Sequence, residues 1–498
     1  MNTNLQTFDD LKPVAPGRPK QAMIESTNRC NSRCRHCSHY QNNFGIDMSE
    51  AVMRKAIDAL VDGAESIVAQ ANGEPLIAQS FYTIIEACER RGVPVRFTTN
   101  AILLHDEALV RRLVRAPVTI AISIDGARPE TYHFLRPLQS WDRLLETLAL
   151  VQRCRQEAGP ECRGLLEFVC VATKDTLGDL PDLVRMAHRY GASSVLVQAL
   201  LGDNGLEALR GQSPFETSDV IAPASLEGMA VARELGIWLG LPSSFHSLTC
   251  SRALASNVLW LDHLTPGARL ILNELLAIHA TGQGFAQAGP KTGINPCSWP
   301  WDRTYIASSG VVHACCMIGP TLGNLNTEEW ETIWNGPRYR SFRRLVHSWN
   351  PPEGCRVCII TEGIHGGDNT RYARYFEKFQ AELVDLADAR VEFDQGFEQI
   401  DDDEGKQAWR LHSLSGGLTL LMRSGARFLR LTIAAAPYGD LTPGMCTIND
   451  GQSEPFDLSC DHIFFPIDHV SDKRLKVRFK MEGLGASKLV IRAASLLV

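Results

Sequence analysis

The sequence predicts an α/β protein with a parallel sheet, followed by a cysteine-rich segment and a small all-β domain. Between residues 21 and 200, short β-branched runs alternate with amphipathic helical patterns six times. Six such alternations indicate a parallel sheet that is open or partly closed into a barrel. Five cysteines fall between residues 297 and 358, and from residue 407 the pattern changes to short alternating strands. That last pattern is typical of a β-sandwich.

Each predicted strand of the parallel sheet is followed by polar residues. The strands are Ala22–Glu25, Ser66–Gln70, Val95–Thr99, Val118–Ile124, Leu166–Thr173 and Ser194–Gln198. The helical patterns between them include Ser49–Val61, Ser80–Arg91, Asp106–Val114 and Leu180–Tyr190. Because ligands of parallel sheets gather at the C-terminal edge, the polar residues there are the candidate site residues.

The rest of the chain is predicted segment by segment. A helix over 227–235, a strand over 236–241 and a helix over 264–280 follow the sheet, and Thr370–Arg390 is predicted to be an amphipathic helix. The acidic run Asp401–Glu404 is interpreted as a solvated linker, because adjacent carboxylates repel one another. The predicted strands of the sandwich are Leu418–Arg423, Arg427–Ala434, His462–Pro466, Leu475–Met481 and Lys488–Ala494.

The predicted domain boundaries follow from these changes of pattern. They are an N-terminal extension at 1–20, the barrel at 21–242, a linker or helical insertion at 243–296, the cysteine-rich domain at 297–366, a helix and linker at 367–400, and a β-sandwich of unknown role at 405–498.

Composition excludes several classes of protein. The 498 residues are 44% hydrophobic and 21% charged, which are globular values and exclude a mainly disordered chain. The net charge of −7 gives no electrostatic footprint for nucleic acid or for an anionic membrane, so neither is an expected partner. The N-terminus has no secretory apolar region, and no run reaches the roughly 18–20 apolar residues of a membrane helix. We therefore expect a cytoplasmic protein, in which clustered cysteines bind metal more often than they form disulfides.

The motif Cys30-x3-Cys34-x2-Cys37 directly follows the first predicted strand. Three thiolates at this spacing can wrap one metal cluster and, with no fourth thiolate nearby, leave one metal position open for a ligand. A structural zinc loop or unrelated buried thiols are the alternatives, but zinc usually takes a closed set of four ligands. The motif therefore favours a cluster with an open position.

The second group of cysteines is Cys297, Cys315, Cys355 and Cys358. A predicted β-hairpin between the first two would bring them together, and the last two form a chelating x2 pair. Four thiolates would close a site fully, and these residues alone suit structural zinc as well as an iron–sulfur cluster. Cys316 could replace Cys315 as ligand, pack nearby as a thiol, or act on substrate. Core positions are predicted for Cys88, Cys154, Cys162, Cys170, Cys250, Cys446 and Cys460.

The first motif resembles that of the radical SAM superfamily, CxxxCxxC after the first strand of a partial (β/α)6 TIM-like barrel. The resemblance implies that Cys30, Cys34 and Cys37 hold a 4Fe–4S cluster whose fourth iron binds S-adenosylmethionine (SAM). Asn72-Gly73-Glu74-Pro75 resembles the family's GGE-type motif, which holds the methionine ammonium group, with Asn72 in place of the first glycine. The other positions implied to contact the cofactor are Asn100, Ser123, Asp125 and His36.

The second group resembles the auxiliary-cluster domain of radical SAM dehydrogenases, in its twitch form more than its full SPASM form. This resemblance implies that Cys297, Cys315, Cys355 and Cys358 bind a second 4Fe–4S cluster, making two per chain. The later SPASM motif CxxCx5CxxxC is missing, since Ile364 stands at its next cysteine position. A third cluster is therefore not expected.

The resemblance also implies a reaction, in which reductive cleavage of SAM gives a 5′-deoxyadenosyl radical that abstracts a substrate hydrogen. The function expected first is a two-electron oxidation of a carbohydrate-like or other small polar substrate, with the auxiliary cluster as electron acceptor. The alternatives are a maturase that modifies a ribosomal peptide or protein, and a non-catalytic iron–sulfur or zinc protein. An electron donor such as flavodoxin or ferredoxin is an expected partner. No catalytic residue is assigned, although Asp302, His313, Glu353 and His365 are candidate bases.

Overall fold

The six predicted alternations form the central part of a ten-stranded sheet in the computed structural model of the chain. The structure describes residues 12–37, 45–200, 206–214, 218–242, 245, 249–250, 253–254, 261, 263–280, 297–316, 319–352, 355, 381–384, 392–395, 397–401, 407–411, 415–421, 426–433, 443–449, 451, 453–458, 462–467, 474–481 and 489–497.

The strands of this sheet are β1 Gln21–Ile24, β2 Ser66–Val68, β3 Val95–Thr99, β4 Val118–Ser123, β5 Leu165–Ala172, β6 Ser194–Ala199, β7 Trp238–Gly240, β8 Arg303–Ile306, β9 Val311–His313 and β10 Gly323–Asn324. Their spatial order is β10-β9-β8-β1-β2-β3-β4-β5-β6-β7. Neighbouring strands from β8 through β1 to β7 are parallel, whereas β8–β9 and β9–β10 are antiparallel. The parallel part confirms the predicted partial barrel.

The described helices are α1 Glu50–Leu60, α2 Gln79–Arg91, α3 Glu107–Arg115, α4 Pro129–Leu135, α5 Trp141–Ala158, α6 Leu180–Arg189, α7 Ser218–Leu235, α8 Pro266–Ala280, α9 Trp299–Asp302, α10 Trp330–Trp334 and α11 Pro337–Val346. Local sequence fixes several of their ends. Ser49 caps α1 by accepting a hydrogen bond from the Val52 N–H, and Asp106 caps α3 in the same way. Gly92 ends α2 in the left-handed conformation, at φ 69°.

Short 3-10 turns lie at Pro75–Ile77, Gly159–Glu161, Leu177–Asp179 and Glu207–Leu209. The strands bury alternate residues: in β3, Val95, Phe97 and Thr99 are buried, and Arg96 and Thr98 are partly exposed on the opposite face. This alternation is the period-two pattern of a strand, and it leaves polar side chains on the inner face of the barrel.

The cysteine-rich segment joins the barrel as an extension of its sheet. Strand β8 pairs with β1 in parallel register, with Gln21 opposite Arg303 and Ile24 opposite Ile306. One hydrophobic core includes residues of both parts, such as Ile24 from the barrel and Phe342 from α11. The barrel and the cysteine-rich segment are therefore one packed unit.

Two antiparallel sheets with a separate hydrophobic core form the C-terminal part, as the sequence predicts. Their strands are β11 Ala381–Val384, β12 Glu392–Phe393, β13 Phe397–Asp401, β14 Gln407–Leu411, β15 Ser415–Leu421, β16 Phe428–Ile433, β17 Pro443–Ile448, β18 Ser453–Asp457, β19 His462–Pro466, β20 Arg474–Met481 and β21 Val490–Leu497. One sheet has the order β13-β14-β21-β16-β19 with β11 also paired to β21, and the other has the order β12-β15-β20-β17-β18.

The prediction of a helix over Thr370–Arg390 is wrong where the structure describes that segment. Ala381–Val384 forms strand β11, which pairs antiparallel with residues 494–497 of β21. The helical period of the sequence is overridden by backbone pairing with a neighbouring strand. The interpretation of the acidic run as a linker is wrong at its first residue, because Asp401 ends β13 and pairs with Gln407 of β14. Residues 402–406 lie outside the described part.

Among the described residues, no helix is both long enough and apolar enough to cross a membrane. The domain boundaries given above remain predictions.

Candidate cluster and cofactor site

The cysteine loop leaves the C-terminal end of β1, as the sequence predicts. Cys34 is buried, and its sulfur lies 3.3 Å from the Ser32 hydroxyl and 3.3 Å from Nη1 of Arg136. Nε2 of Gln139 lies 4.0 Å from the same sulfur. Hydrogen-bond donors and a cation that face a sulfur stabilise its thiolate form, so the surroundings of Cys34 suit a metal ligand.

Cys30 is also held close to polar groups. Nδ2 of Asn100 lies 3.9 Å from its sulfur and donates a 2.7 Å hydrogen bond to Oδ1 of Asn31. Burial, together with smaller contributions from negative charge on Glu74, Cys34 and Cys37, raises the pKa of the Cys30 thiol to about 11. Cys37 lies on the same loop, where its N–H donates to the Cys34 carbonyl. The three thiols thus lie near one another at one end of the barrel.

No group of three or more His, Cys, Asp or Glu side chains in the described part of the chain has the spacing of a metal-ion site. Ligands of a 4Fe–4S cluster bind separate irons, so they do not converge on one point as the ligands of a single ion do. The fit of a cluster therefore depends on the donor set, which consists here of three thiols on one loop with an amide and a guanidinium facing the sulfurs.

The turn at Asn72–Pro75 approaches the cysteine loop very closely. Gly73 has φ +73°, and a Cβ built on it would meet the Arg29 carbonyl oxygen at 2.6 Å and the Thr27 carbonyl oxygen at 2.8 Å. Only glycine is compatible with both the conformation and the space. The Glu74 N–H donates a 2.8 Å hydrogen bond to the same Arg29 carbonyl. The glycine of this motif therefore joins two loops that meet at the C-terminal edge of the sheet.

Glu74 is buried, and its carboxylate is directed at the end of β3. It accepts hydrogen bonds from the Thr99 hydroxyl at 2.7 Å, from the Asn100 N–H at 2.8 Å and from the Leu76 N–H at 3.3 Å. Burial raises the pKa of Glu74 to about 7, despite these donors. The described contacts of this carboxylate hold the Asn72–Pro75 turn against the end of β3. The backbone of the turn, rather than this carboxylate, is therefore available to a ligand.

Asp125 follows β4 and is completely buried beside two basic side chains. Nε of Arg136 lies 2.6 Å from its Oδ2, Nδ1 of His36 lies 3.9 Å from the same oxygen, and its Oδ1 accepts from the Val171 N–H at 2.8 Å. Burial lowers the pKa of His36. Through Arg136, which also faces Cys34, the end of β4 is linked to the cysteine loop.

The structure thus brings together the cysteine loop, residues 72–75, Asn100, Asp125 and His36, all at the C-terminal edge of the sheet. Ser123 is the last residue of β4 and lies at the same edge. Sequence reasoning missed Glu25, Arg136 and Gln139. Glu25 could have been identified as a site residue from its position directly after the first strand. Arg136 and Gln139 could not, because nothing in the local sequence marks them.

The auxiliary cysteines lie around the hairpin that the sequence predicts. Cys297 precedes α9, Cys315 follows β9, and Cys297 and Cys355 both pack against the shared core. Cys315 lies near enough to Tyr339 to contribute to raising the pKa of that phenol, and Cys316 has the same effect on Tyr305. Cys358 is outside the described residues.

Two of the candidate bases are described. Asp302 precedes β8, so it lies at the N-terminal edge of the parallel strands, opposite the site. Nδ1 of His313 lies 3.1 Å from the Gly319 carbonyl oxygen, and its ring stacks on Tyr305 at 5.6 Å. Burial lowers the pKa of His313, which keeps it neutral. These contacts favour a structural role for His313, and the position of Asp302 at the opposite edge separates it from the site. Glu353 and His365 lie outside the described residues.

Comparison with known proteins confirms the resemblance. Residues 24–158 match the model of the Radical SAM superfamily, and residues 297–359 match SPASM, an iron–sulfur cluster-binding domain. The two matches cover the cysteine loop and the auxiliary cysteines respectively. These matches favour a radical SAM enzyme over the alternative of a non-catalytic metal protein.

Relatives share part of this chain at low identity. Mycofactocin maturase MftC of Mycobacterium ulcerans (strain Agy99) is 27% identical over 173 residues, which are 34% of this chain and 44% of the relative. A tungsten-containing aldehyde ferredoxin oxidoreductase cofactor-modifying protein of Pyrococcus furiosus is 25% identical over 45% of this chain and 62% of its own. The matches thus span less than two thirds of these relatives. The crystal structure of Streptococcus suis SuiB bound to precursor peptide SuiA aligns with TM-score 0.46 at 15% identity, over 66% of this chain and 67% of the other.

Proposed function

We propose that this protein, a radical SAM enzyme with a SPASM-type iron–sulfur domain, is a maturase that modifies a peptide or protein substrate. The observation that carries the proposal is the similarity to mycofactocin maturase MftC, which is 27% identical over 173 residues. The comparisons favour this reading over oxidation of a carbohydrate-like substrate, because the first relative named above is a maturase. The partial overlap with those relatives keeps the substrate class a proposal.

We assign two clusters to the cysteines. In this assignment Cys30, Cys34 and Cys37 bind the cluster that contacts SAM. Cys297, Cys315, Cys355 and Cys358 bind the auxiliary cluster. Cys315 is preferred to Cys316 on the resemblance to the auxiliary-cluster domain, whose model matches residues 297–359.

The described side chains have distinct tasks in this reaction. The bound cluster and SAM supply the radical chemistry. The side chains of Arg136, Gln139 and Ser32 face the Cys34 sulfur, where hydrogen bonds tune the potential of a cluster. The backbone of Asn72 and Gly73 would hold the methionine part of SAM. Asp125, neutralised by Arg136, fixes the end of β4 against the loop.

The inner face of the barrel offers polar groups for the substrate. Arg96 and Glu167 form an ion pair across the face that carries Thr98, and the Ser194 hydroxyl donates to Glu167 at 3.1 Å. The guanidinium of Arg96 also donates to the Thr98 hydroxyl at 3.4 Å. Amide and carboxyl groups of a peptide would find both donors and acceptors on this face. An electron donor such as flavodoxin or ferredoxin completes the proposed system.

The test is deuterium transfer from substrate to 5′-deoxyadenosine. The anaerobically reconstituted enzyme, with reductant and SAM, is incubated with deuterated candidate precursor peptides and, separately, with deuterated cyclitols and sugars. We expect deuterium in 5′-deoxyadenosine, and a mass change in the partner, with a peptide only. Transfer from a sugar instead would overturn the maturase assignment and leave the radical SAM assignment intact. The Cys30, Cys34 and Cys37 to Ala triple variant is the control without cleavage.

A further inference from the structure

Glu25 is a buried carboxylate that the reaction outlined above does not use. It follows β1 directly and is 2% exposed. Its Oε2 accepts hydrogen bonds from the Asn72 N–H at 3.0 Å, from Nδ2 of Asn72 at 3.0 Å and from the Tyr305 hydroxyl at 2.8 Å. Its Oε1 accepts from the Ser308 N–H at 3.1 Å and from the Ser308 hydroxyl at 2.8 Å. We refer to Glu25, Asn72, Tyr305 and Ser308 as the Glu25 cluster.

All five groups around the carboxylate act as donors, which suits an acceptor-only side chain. Tyr305 and Ser308 are themselves buried, and burial beside Glu25 raises the pKa of the Tyr305 phenol, so that group retains the proton that it donates. A glutamine at this position would direct an N–H₂ group at one or more of these donors. The cluster therefore specifies a carboxylate at residue 25 rather than a polar side chain in general.

The donors come from two parts of the molecule that each carry a proposed cofactor site. Asn72 begins the turn whose next residue, Gly73, lies against the carbonyls of the cysteine loop. Tyr305 lies in β8 and Ser308 just after it, in the hairpin between Cys297 and Cys315. The Glu25 N–H also donates to the Ile306 carbonyl at 2.9 Å, so β1 and β8 are joined at this point by backbone as well.

Asn72 gives the cluster a feature particular to this chain. A glycine at this position could offer only its backbone N–H, whereas the side-chain amide of Asn72 adds a second hydrogen bond to the same carboxylate oxygen. The Tyr305 hydroxyl faces the Asn72 side chain as well. The auxiliary domain therefore contributes, through Tyr305, to the contacts that orient this turn.

We propose that Glu25 is a positioning residue that fixes the Asn72–Glu74 turn for SAM and couples SAM binding to the docking of the auxiliary domain. Glu25 acts through Asn72 and contacts no reacting atom. Since such coupling is reciprocal, changes at Tyr305 or Ser308 alter the affinity for SAM, although both residues belong to the auxiliary domain. This inference does not depend on the identity of the substrate.

The test measures SAM binding rather than turnover. Glu25→Gln, Tyr305→Phe, Ser308→Ala and Asn72→Gly are reconstituted anaerobically in the full chain. SAM affinity is measured by calorimetry, and the spectrum of the reduced cluster is recorded by electron paramagnetic resonance with and without SAM. We expect Glu25→Gln to weaken SAM binding about tenfold or more, and Tyr305→Phe and Asn72→Gly about three- to tenfold, as expected for lost hydrogen bonds to a charged group.

The matched control is Glu50→Gln, an exposed glutamate on α1, which should leave the affinity within about twofold of wild type. A second readout is iron content, which we expect Tyr305→Phe to retain in full. SAM affinities of Glu25→Gln and Tyr305→Phe that both stay within about twofold of wild type would overturn the proposal. If Glu25→Gln does not fold, the SAM affinities of Tyr305→Phe and Asn72→Gly decide whether the proposal holds. Each of these variants removes one hydrogen-bond donor and leaves the Glu25 carboxylate in place.

Discussion

Gly73 shows how one residue without a side chain can determine a cofactor site. Its φ of +73° and the 2.6 Å and 2.8 Å distances from a built Cβ to two carbonyl oxygens leave no room for alanine. A match to the Asn72–Pro75 motif in sequence alone does not explain why this position is a glycine. The close approach of the two loops is the physical reason for glycine at this position.

The first prediction concerns Gly73→Ala. We expect it to lower the free energy of unfolding by about 2–4 kcal/mol and to abolish measurable SAM binding, because the two loops must separate. The control is Gly63→Ala, whose φ is +82° but whose built Cβ has nothing within 4 Å. That variant carries the conformational cost alone, about 1 kcal/mol, and should bind SAM normally. Equal loss of stability in both would refute the packing argument.

The second prediction concerns the pH dependence that Glu74 contributes. The pKa of this group is 4.5 when unperturbed and about 7 in the folded chain. The folded state therefore holds the proton more tightly than the unfolded state, so the contribution of Glu74 to stability decreases as pH rises from 4.5 to 7 and is constant above. Urea unfolding without SAM should show that wild type loses stability relative to Glu74→Gln between pH 5 and pH 8. A difference that does not change with pH would contradict the prediction.

At the scale of elements, strand β8 joins the auxiliary segment to the barrel, and Asn350 joins it to the sandwich. Asn350 lies just beyond α11 and is completely buried. Its Nδ2 donates to the Phe464 carbonyl at 2.8 Å and to the Pro455 carbonyl at 3.2 Å, and its Oδ1 accepts from the Phe464 N–H at 2.7 Å. One side chain thus connects the auxiliary segment to β18 and β19.

The third prediction is that Asn350→Ala loosens the sandwich from the rest of the chain. Without the amide, a buried N–H and two buried carbonyl groups lose their partner, at a cost of about 2–4 kcal/mol. We expect faster limited proteolysis between the auxiliary segment and the sandwich, and a lower midpoint of thermal unfolding. The control is Asn326→Ala, an exposed asparagine whose side chain also makes hydrogen bonds. Equal proteolysis rates for the two variants would contradict a connecting role for Asn350.

At the scale of the whole molecule, the two proposed clusters belong to separate groups of cysteines within one packed unit. The fourth prediction is that wild type binds about eight irons and that each group can lose its cluster alone. The Cys30, Cys34 and Cys37 to Ala triple variant should retain about four irons and cleave no SAM. Cys355→Ala should also retain about four irons but still cleave SAM under reductant. Loss of all iron from either variant would show that the clusters do not assemble independently.

Much of this architecture could be predicted from the sequence, because alternation of strand and helix is a local property. The six barrel strands, their C-terminal polar residues and five strands of the sandwich (β15, β16, β19, β20 and β21) were visible in the pattern, whereas β12, β13, β14, β17 and β18 were not predicted. The strand at 381–384 was not predicted, because the sequence there has a helical period. In the structure this segment instead pairs with β21, which lies more than a hundred residues away. Arg136 and Gln139 were missed for the same kind of reason, as their approach to Cys34 depends on where α4 packs.

The sequence by itself determined the chemistry of this protein: three thiols at fixed spacing after a strand, four more in a later segment, and a glycine turn at the next strand end. Those features are encoded by neighbours in the chain, so spacing is enough to predict them. Only the tertiary structure decided how the two cysteine groups are related. The parallel pairing of β8 with β1 places Tyr305 and Ser308 against Glu25 and Asn72, contacts between residues 47 to 283 positions apart that no local pattern can encode.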